Sequence, residues 1–415
     1  MSASRIRELR LRAILDSRGE RTVEAVVALA GGAEGTGSCP VAIAPGRRER
    51  RRAAVGALGA RDAGAAGRQA RRALEGATVA SQDELDAHLR SLGGRAANVT
   101  LAVSIAFCRA RAAEAGLPLH RHLARLAATT AAMPHLLVNV FSGGVHGDRP
   151  ARSFQQVMLA PELASVAEEI EAGLAVFAAA EDAVARRGLD HRLSASSGIV
   201  RRDASPERLL GELREHAERL GLPAQAAQLG VDVAAEHLAI PGGGYRLGSD
   251  ELGGERLLDR LEAMASEAPL AYLEDPFAPA DEHLWRDLRA RLGPETCLVG
   301  DDLFATDSAR VDPALADAIL LKPSQAGSVS ETLAAARRAR AAGMALCVSH
   351  RSGETEDTFI CDLAVALGAR WIKTGGPRRG DRISKLNQLL RLSEDRTSAG
   401  LAAGQPRPLQ TVEEA

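Results

Sequence analysis

The stretch LAYLEDPFAPADEHLWRDLRARLGPETCLVGDDLFATDSARVDPALADAILLK, residues 270–322, carries the reading that decides the fold. Three short apolar runs lie in it, LAYLED (270–275), TCLVGDD (296–302) and DAILLK (317–322), and each ends on charged side chains. Runs of this length, bounded by polar segments, read as buried strands. Working outward, HLLVNVF (135–141), QQVMLA (155–160), AQLGVDV (227–233), MALCVSH (344–350) and ARWIKTG (369–375) repeat the pattern. Helical stretches lie among them: ERLLDRLEAMASE (255–267), SVSETLAAARRARAAG (328–343) and TEDTFICDLAVALG (355–368), the last two with Ser or Thr suited to an N-cap. Strand alternating with helix predicts a parallel sheet with crossover helices, closed as a (β/α)8-type barrel, with a doubly wound open sheet as the alternative. A dinucleotide site is not expected, because no GxGxxG follows a strand and Gly242–Gly244 fall in a turn.

Upstream, RIRELRLRAIL (5–15), the turn-forming DSRGE (16–20) and TVEAVVALAGG (22–32) read as an antiparallel hairpin. Residues 81–126 carry helical periodicity, including LAVSIAFCRARAAEAG (101–116). The overall class is therefore α/β: an N-terminal α+β capping domain over 1–133, a barrel over 134–397 and a loosely ordered tail over 398–415, with the first boundary at Met133-Pro134.

With 415 residues, 46% of them hydrophobic, the chain can bury a sizeable core. Its formal charge of −2 offers no field to attract nucleic acid or an anionic membrane, and neither partner is expected. No stretch approaches the roughly 20 apolar residues of a membrane span, and the N-terminus has no apolar export signal, so a cytoplasmic location is expected. Cys39, Cys108, Cys297, Cys347 and Cys361 form no CxxC pair and read as reduced thiols. Among 52 basic residues only Lys322, Lys373 and Lys385 are lysines. An arginine-biased chain that keeps a lysine invites a chemical reason, because an ammonium can give up its proton and a guanidinium cannot.

The later apolar runs end on Asp232, Glu274, Asp301 with Asp302, Lys322, His350 with Arg351, and Lys373, at successive separations of 42, 27, 21, 28 and 23 residues. In a barrel these endings converge on one mouth. Singly, each carboxylate would pass for an N-cap or a surface acid. Three in consecutive runs repel unless a cation lies between them, and hard oxygen ligands select Mg²⁺. A lysine beside a divalent cation and a second ammonium becomes a usable base. The cation would offset the charge that forms when a carbon next to a carboxylate loses its proton. His350, Arg351 and Ser352 offer a cation and donors suited to a phosphate.

DSRGE-x-TVEA (16–25), MPHLLVNV-x-SGG-x-H (133–146), VGDDLFATD (299–307), LLKPSQAGSVSETLAAA (320–336), VSHRSGETEDTFICDLAV (348–365) and IKTGGPRRGDRISKLNQLLRLSE (372–394) resemble enolase, and the resemblance runs through nearly the whole chain. It implies Mg²⁺ on Asp232, Glu274 and Asp301, with Lys322 as the base that removes the C2 proton of 2-phosphoglycerate and Lys373 at the substrate carboxylate. It implies phosphate contacts from Arg351 and Ser352, a catalytic role for His146, and Gln155 beside the catalytic acid. It also implies a homodimer in which Arg18 pairs with Glu394 and Glu24 with Arg391.

Three positions depart from the family pattern. The glutamate of GDEGG, which protonates the departing hydroxyl, is Ser196 in LSASSGIV, and its neighbouring aspartate is Ala195. The Gln-Glu pair reads Gln155-Gln156, and the mobile loop SGASTG, which helps bind a second Mg²⁺, reads Val41-Ala42-Ile43-Ala44-Pro45-Gly46. Serine is far too weak an acid to replace glutamate. The resemblance therefore points to a family member diverged to a related phosphorylated or phosphonylated substrate, similar in kind to carboxyphosphonoenolpyruvate synthases of phosphonate biosynthesis. Alternatives are a working phosphopyruvate hydratase, with His146 or His191 as acid, and a catalytically inactive binding protein.

Overall fold

The computed structural model describes residues 3–43, 45–91, 96–147, 153–189, 191–268 and 270–394, without the side chains of 146 and 147. The expected tail at 398–415 lies outside these residues.

The hairpin forms as read. β1 (Ser4–Leu15) and β2 (Arg21–Leu29) pair antiparallel, with Leu9 opposite Val27 and Leu11 opposite Ala25. Asp16 closes the turn by accepting the N–H groups of Arg18 at 2.8 Å and Glu20 at 3.0 Å. β3 (Glu34–Ser38) and β4 (Thr78–Val79) complete an antiparallel sheet in the order β3-β2-β1-β4. The helix Ala97–Glu114 packs on this sheet. A Cβ at Gly35 would fall 2.2 Å from the carbonyl oxygen of Ala106, and one at Gly37 would fall 2.6 Å from that of Ala102. Two glycines thus let strand and helix backbones touch. On its other side the same helix meets the barrel, where the Ser104 hydroxyl accepts the Val329 N–H at 2.9 Å.

The eight predicted runs are the eight barrel strands. They are β5 (His135–Ser142), β6 (Gln156–Pro161), β8 (Ala227–Asp232), β11 (Leu270–Glu274), β12 (Cys297–Gly300), β13 (Ala318–Leu321), β14 (Ala345–Ser349) and β15 (Trp371–Gly375), and β15 pairs with β5 to close the ring. β7 (Ile199–Val200) lies beside β5, and β9 (Tyr245–Leu247) pairs with β10 (Asp250–Leu252) outside the barrel. The open-sheet alternative is thereby excluded.

One feature corrects the uniformly parallel expectation: β6 runs antiparallel to both β5 and β8. Only residues 143–155 separate β5 from β6, and an antiparallel neighbour needs no crossover helix. The helices Val166–Arg186 and Pro206–Arg219 then follow β6 in succession. Ser328 caps its helix as predicted, accepting the Glu331 N–H. The stretch at 355–368 starts later than expected. Its helix runs Phe359–Leu367, and the Asp357 carboxylate, rather than a threonine, receives the Phe359 N–H at 2.8 Å.

An inner layer that includes Leu137, Met158, Tyr272, Val299, Leu320 and Trp371 fills the barrel, with Tyr272 edge-on to Trp371 at 5.4 Å between ring centroids. This layer fixes the site above it. Side chains alternate along a strand, so the residue two positions beyond an inward apolar one also faces inward. Tyr272 is thus followed by Glu274, Val299 by Asp301, Leu320 by Lys322 and Trp371 by Lys373, while in antiparallel β6 the same step leads from Met158 back to Gln156. No helix among the described residues is long and apolar enough to cross a membrane. All five cysteines are buried free thiols.

Candidate active site

A cavity opens at the C-terminal mouth of the barrel. The strand-ending residues Asp232, Asp301, Lys322, His350, Arg351 and Lys373 line it, together with Gln155, Gln156 and Ser352. Glu274 sits just behind, tied to Lys373. The His146 backbone lies in the short helix Gly144–Gly147, and its side chain is outside the described residues. His191 is exposed and absent from the lining, whereas His237, which the sequence reading passed over, is part of it.

The charged groups form two sets. Lys373 donates to Asp232 at 2.9 Å and to Glu274 at 2.6 Å, while Gln155 donates to Asp232 at 3.1 Å and the Tyr272 hydroxyl to Glu274 at 2.6 Å. Lys322 is hydrogen-bonded to Asp301, which also receives the Gln325 amide at 2.9 Å. Burial lowers the proton affinity of both ammonium groups, but the attached carboxylates outweigh it, so Lys322 and Lys373 are held above the usual lysine range. The carboxylates face the amines directly, whereas the lowering expected from sequence concerns the site with a divalent cation between those carboxylates. Burial and then the neighbouring Asp232 push Glu274 up to about 7. Burial also opposes ionisation of Asp301, but Lys322 prevails and holds it below the usual carboxylate range.

Carboxylates from neighbouring strands that reach one ammonium mark a place suited to positive charge, and their oxygens are donors that Mg²⁺ accepts. Asp232, Glu274 and Asp301 therefore fit as holders of a divalent cation. A second acidic group, Asp275, Asp301 and Asp302, has ligand atoms within 4.8 Å of one another. In that group both Asp275 oxygens already accept backbone N–H groups, from Asp301 at 2.9 Å and Asp302 at 2.7 Å. Asp275 is thus a support that orients Asp301, while among the described residues the strand-end triad does not itself bring three ligand atoms within that distance.

The other wall is built from loops. Arg351 donates to Glu49 at 2.7 Å and to the Ser324 hydroxyl at 3.2 Å, and the Ser352 hydroxyl accepts the Ile43 N–H at 2.8 Å. Arg382, fully buried, donates to the carbonyls of Arg351 at 2.9 Å, Ser352 at 3.1 Å and Ala195 at 2.9 Å, joining the phosphate-type loop to the loop bearing Ser196. Gly376 donates to the Ser196 carbonyl at 2.9 Å, and a Cβ there would lie 2.1 Å from the carbonyl oxygen of Ser197. Ser196 is fully buried in the cavity wall next to neutral Gln156. Glu49, Arg382 and His237 escaped the sequence reading because none ends an apolar run. Glu49 alone left a trace, as the one acid in RRERRR (47–52).

A closed barrel with an antiparallel second strand, a capping sheet domain, and carboxylates and lysines at one mouth defines a capped barrel enzyme. Residues 6–123 match the model of the enolase N-terminal domain, and residues 130–409 match that of the enolase C-terminal TIM barrel domain. The chain belongs to the enolase family. That membership makes it a lyase-type enzyme of the enolase superfamily, for which Mg²⁺ dependence is general.

Proposed function

We propose that the enzyme removes the proton from the carbon next to the carboxylate of a small 2-phosphoglycerate- or phosphoenolpyruvate-like substrate, and that this substrate is diverged from 2-phosphoglycerate itself, with a phosphonate a fitting case. The observation that carries the reading is the sharing of one cavity by Lys322, Lys373, two of the three strand-end carboxylates and Arg351, against a wall whose acid positions are Ser196 and Gln156. Lys322 takes the proton once its amine is neutral, and the C–H electron pair moves toward the carboxylate. Lys373 lies where it meets the growing charge on that carboxylate. Arg351, Ser352 and His350 hold the phospho or phosphono group, and Gln155 and Gln156 add neutral donors. A divalent cation on Asp232, Glu274 and Asp301 supplies the electrophilic stabilisation of the enolate charge. Neither Ser196 nor Gln156 can protonate a leaving hydroxide as a carboxylic acid does, so ordinary dehydration is slow, by about 10²–10⁴-fold for a missing general acid.

The test is loss of the C2 proton signal of 2-phosphoglycerate in D₂O with Mg²⁺, run beside an assay for phosphoenolpyruvate. Exchange outpacing product is expected, and Lys322→Ala should abolish both. Exchange that survives Lys322→Ala would falsify the assignment. A second reading, direct 2-phosphoglycerate dehydration, is favoured by His237 in the cavity wall as a substitute acid; phosphoenolpyruvate formation that keeps pace with exchange and collapses in His237→Gln would establish it.

We further propose cytoplasmic homodimers. The groups expected at the interface have partners within one chain or face solvent: Arg18 binds Asp16 at 2.7 Å, Glu24 binds Arg12 at 3.1 Å, Arg391 reaches Gln388 at 3.3 Å, and Glu394 is exposed. Sedimentation of wild type beside an Arg18→Glu, Arg391→Glu variant tests the arrangement. Equal dimer content in both would remove these pairs from the interface.

A further inference from the structure

Glu49 holds the position that an anionic ligand would need on Arg351. Its carboxylate takes the Arg351 Nη2 at 2.7 Å, and the side chains of the pair are only 9% and 5% exposed. It lies inside the cavity lining, although Arg47 and Arg50 in the same run are exposed. A buried carboxylate on a run this basic is not there to solubilise the surface.

The pair does not serve simply to fasten the loop. The Val41 and Gly353 backbones exchange hydrogen bonds at 2.6 and 2.8 Å, the Ile43 N–H reaches Ser352, and Arg48 grips the carbonyls of Leu303 at 2.7 Å and Pro279 at 3.3 Å. These ties hold the loop at the mouth independently of Glu49. The described lining carries four carboxylates, those of Glu49, Asp232, Asp301 and Asp302, against three cations, Lys322, Arg351 and Lys373. Both lysines are already bound to carboxylates, and so is Arg351. An incoming anion at Arg351 therefore meets a carboxylate already bound there.

We infer that Glu49 is a resident competitor for Arg351, which sets an affinity threshold that a simple tetrahedral anion fails to cross and a phosph(on)ate with its own carboxylate does cross. This rests on the proposed function, in which Arg351 receives the substrate's phospho group. The ligand gains Arg351 by displacing Glu49, and a carboxylate held at the other end of the cavity supplies the additional binding that makes displacement favourable. Inorganic phosphate and sulfate lack that second contact, so the cell's free phosphate does not occupy the site. Under this view Glu49 lowers the affinity of every anion at Arg351, and so keeps out those too weakly held to displace it.

The experiment is calorimetric titration of inorganic phosphate and of phosphoenolpyruvate, with Mg²⁺ present, into the wild-type enzyme, Glu49→Gln and Glu49→Asp. Gln keeps the shape and the acceptor that takes the Gly46 N–H at 3.1 Å, and it removes only the charge. A like charge against a bound anion is costly enough that its removal should tighten both ligands at least about tenfold. Glu49→Asp should stay near wild type. A structural role for Glu49 predicts the opposite sign, since loosening the loop weakens both ligands. Unchanged or weaker phosphate binding by folded Glu49→Gln, with phosphoenolpyruvate still bound, overturns the competitor role alone. Failure of phosphoenolpyruvate to bind either folded protein overturns the proposed function with it.

Discussion

Replacing Lys373 by Met tests the charge arrangement at its centre. The Lys373 ammonium is the cation shared by Asp232 and Glu274, and the three side chains are 3%, 2% and 1% exposed. Methionine fills most of the volume, so the dominant effect is electrostatic: two buried carboxylates lose their counterion. Breaking a buried pair by removing one partner costs about 3–5 kcal/mol. Two hydrogen bonds survive, from Gln155 to Asp232 at 3.1 Å and from Tyr272 to Glu274 at 2.6 Å. Those retained donors still satisfy one oxygen on each acid, which places the expected loss near the lower limit, about 3 kcal/mol. Urea unfolding in EDTA measures it directly. Mg²⁺ should then narrow the gap, because a cation enters the variant's site without displacing an ammonium; at a concentration of about 100 times Kd, binding alone returns roughly 2.7 kcal/mol. The reasoning is refuted if Lys373→Met is within about 1 kcal/mol of wild type in EDTA, or if Mg²⁺ leaves the difference between the proteins unchanged.

Other perturbations have equally definite outcomes. Burial pushes Asp362 up to about 6, with the Gln388 amide at 3.1 Å as a partial offset. A carboxyl raised in the folded state stabilises it below the unfolded pKa and loses that contribution as pH rises through about 6. Asp362→Asn should therefore gain on wild type between pH 4 and 7, reaching about 2–3 kcal/mol, and parallel urea midpoints across that range would contradict it. Gly376→Ala drives a methyl group to 2.1 Å from the Ser197 carbonyl oxygen and should cost about 3 kcal/mol while displacing the Ser196 loop; unchanged thermal stability would show that the loop yields freely. Ser196→Glu extends a carboxyl from the wall into the cavity and should raise phosphoenolpyruvate formation from 2-phosphoglycerate by up to about 10²-fold, as read by absorbance. No gain in a folded variant would mean that the acid position alone does not limit dehydration.

The barrel was legible because its strands are buried on both faces and so stand out as apolar runs, and because Asp232, Glu274, Lys322 and Lys373 each end or follow such a run. The reversal of β6 was not legible. QQVMLA reads alike in either direction, and only the helix-poor connection after β5 distinguishes them. Asp275 was hidden for a different reason. It adjoins Glu274 in sequence, but its positive φ of 43° turns it onto the amides of Asp301 and Asp302 rather than into the cavity. The contacts of Glu49 with Arg351 and of Arg382 with three carbonyls join segments 302 and up to 187 residues apart, and no local pattern reports a pairing at that distance.

Two of the three departures from the family pattern lie on loops rather than on the barrel strands. The strand-end wall keeps the carboxylates, Lys322 and Lys373, all fixed by the inward face of strands that also build the core, so a change there costs stability as well as chemistry. Ser196 and the capping loop lie off those strands and are held by backbone contacts at Gly376 and Gly353 that do not depend on which side chain is present, whereas Gln156 departs from the family on β6 itself, in register with Asp232. Replacement on those loops leaves the fold untouched and alters only the groups presented to the substrate. Under the proposed function, the fold protects the strand-end groups assigned to proton abstraction and leaves Ser196 and the capping loop freer to change, which fits a substrate whose product does not require expulsion of hydroxide.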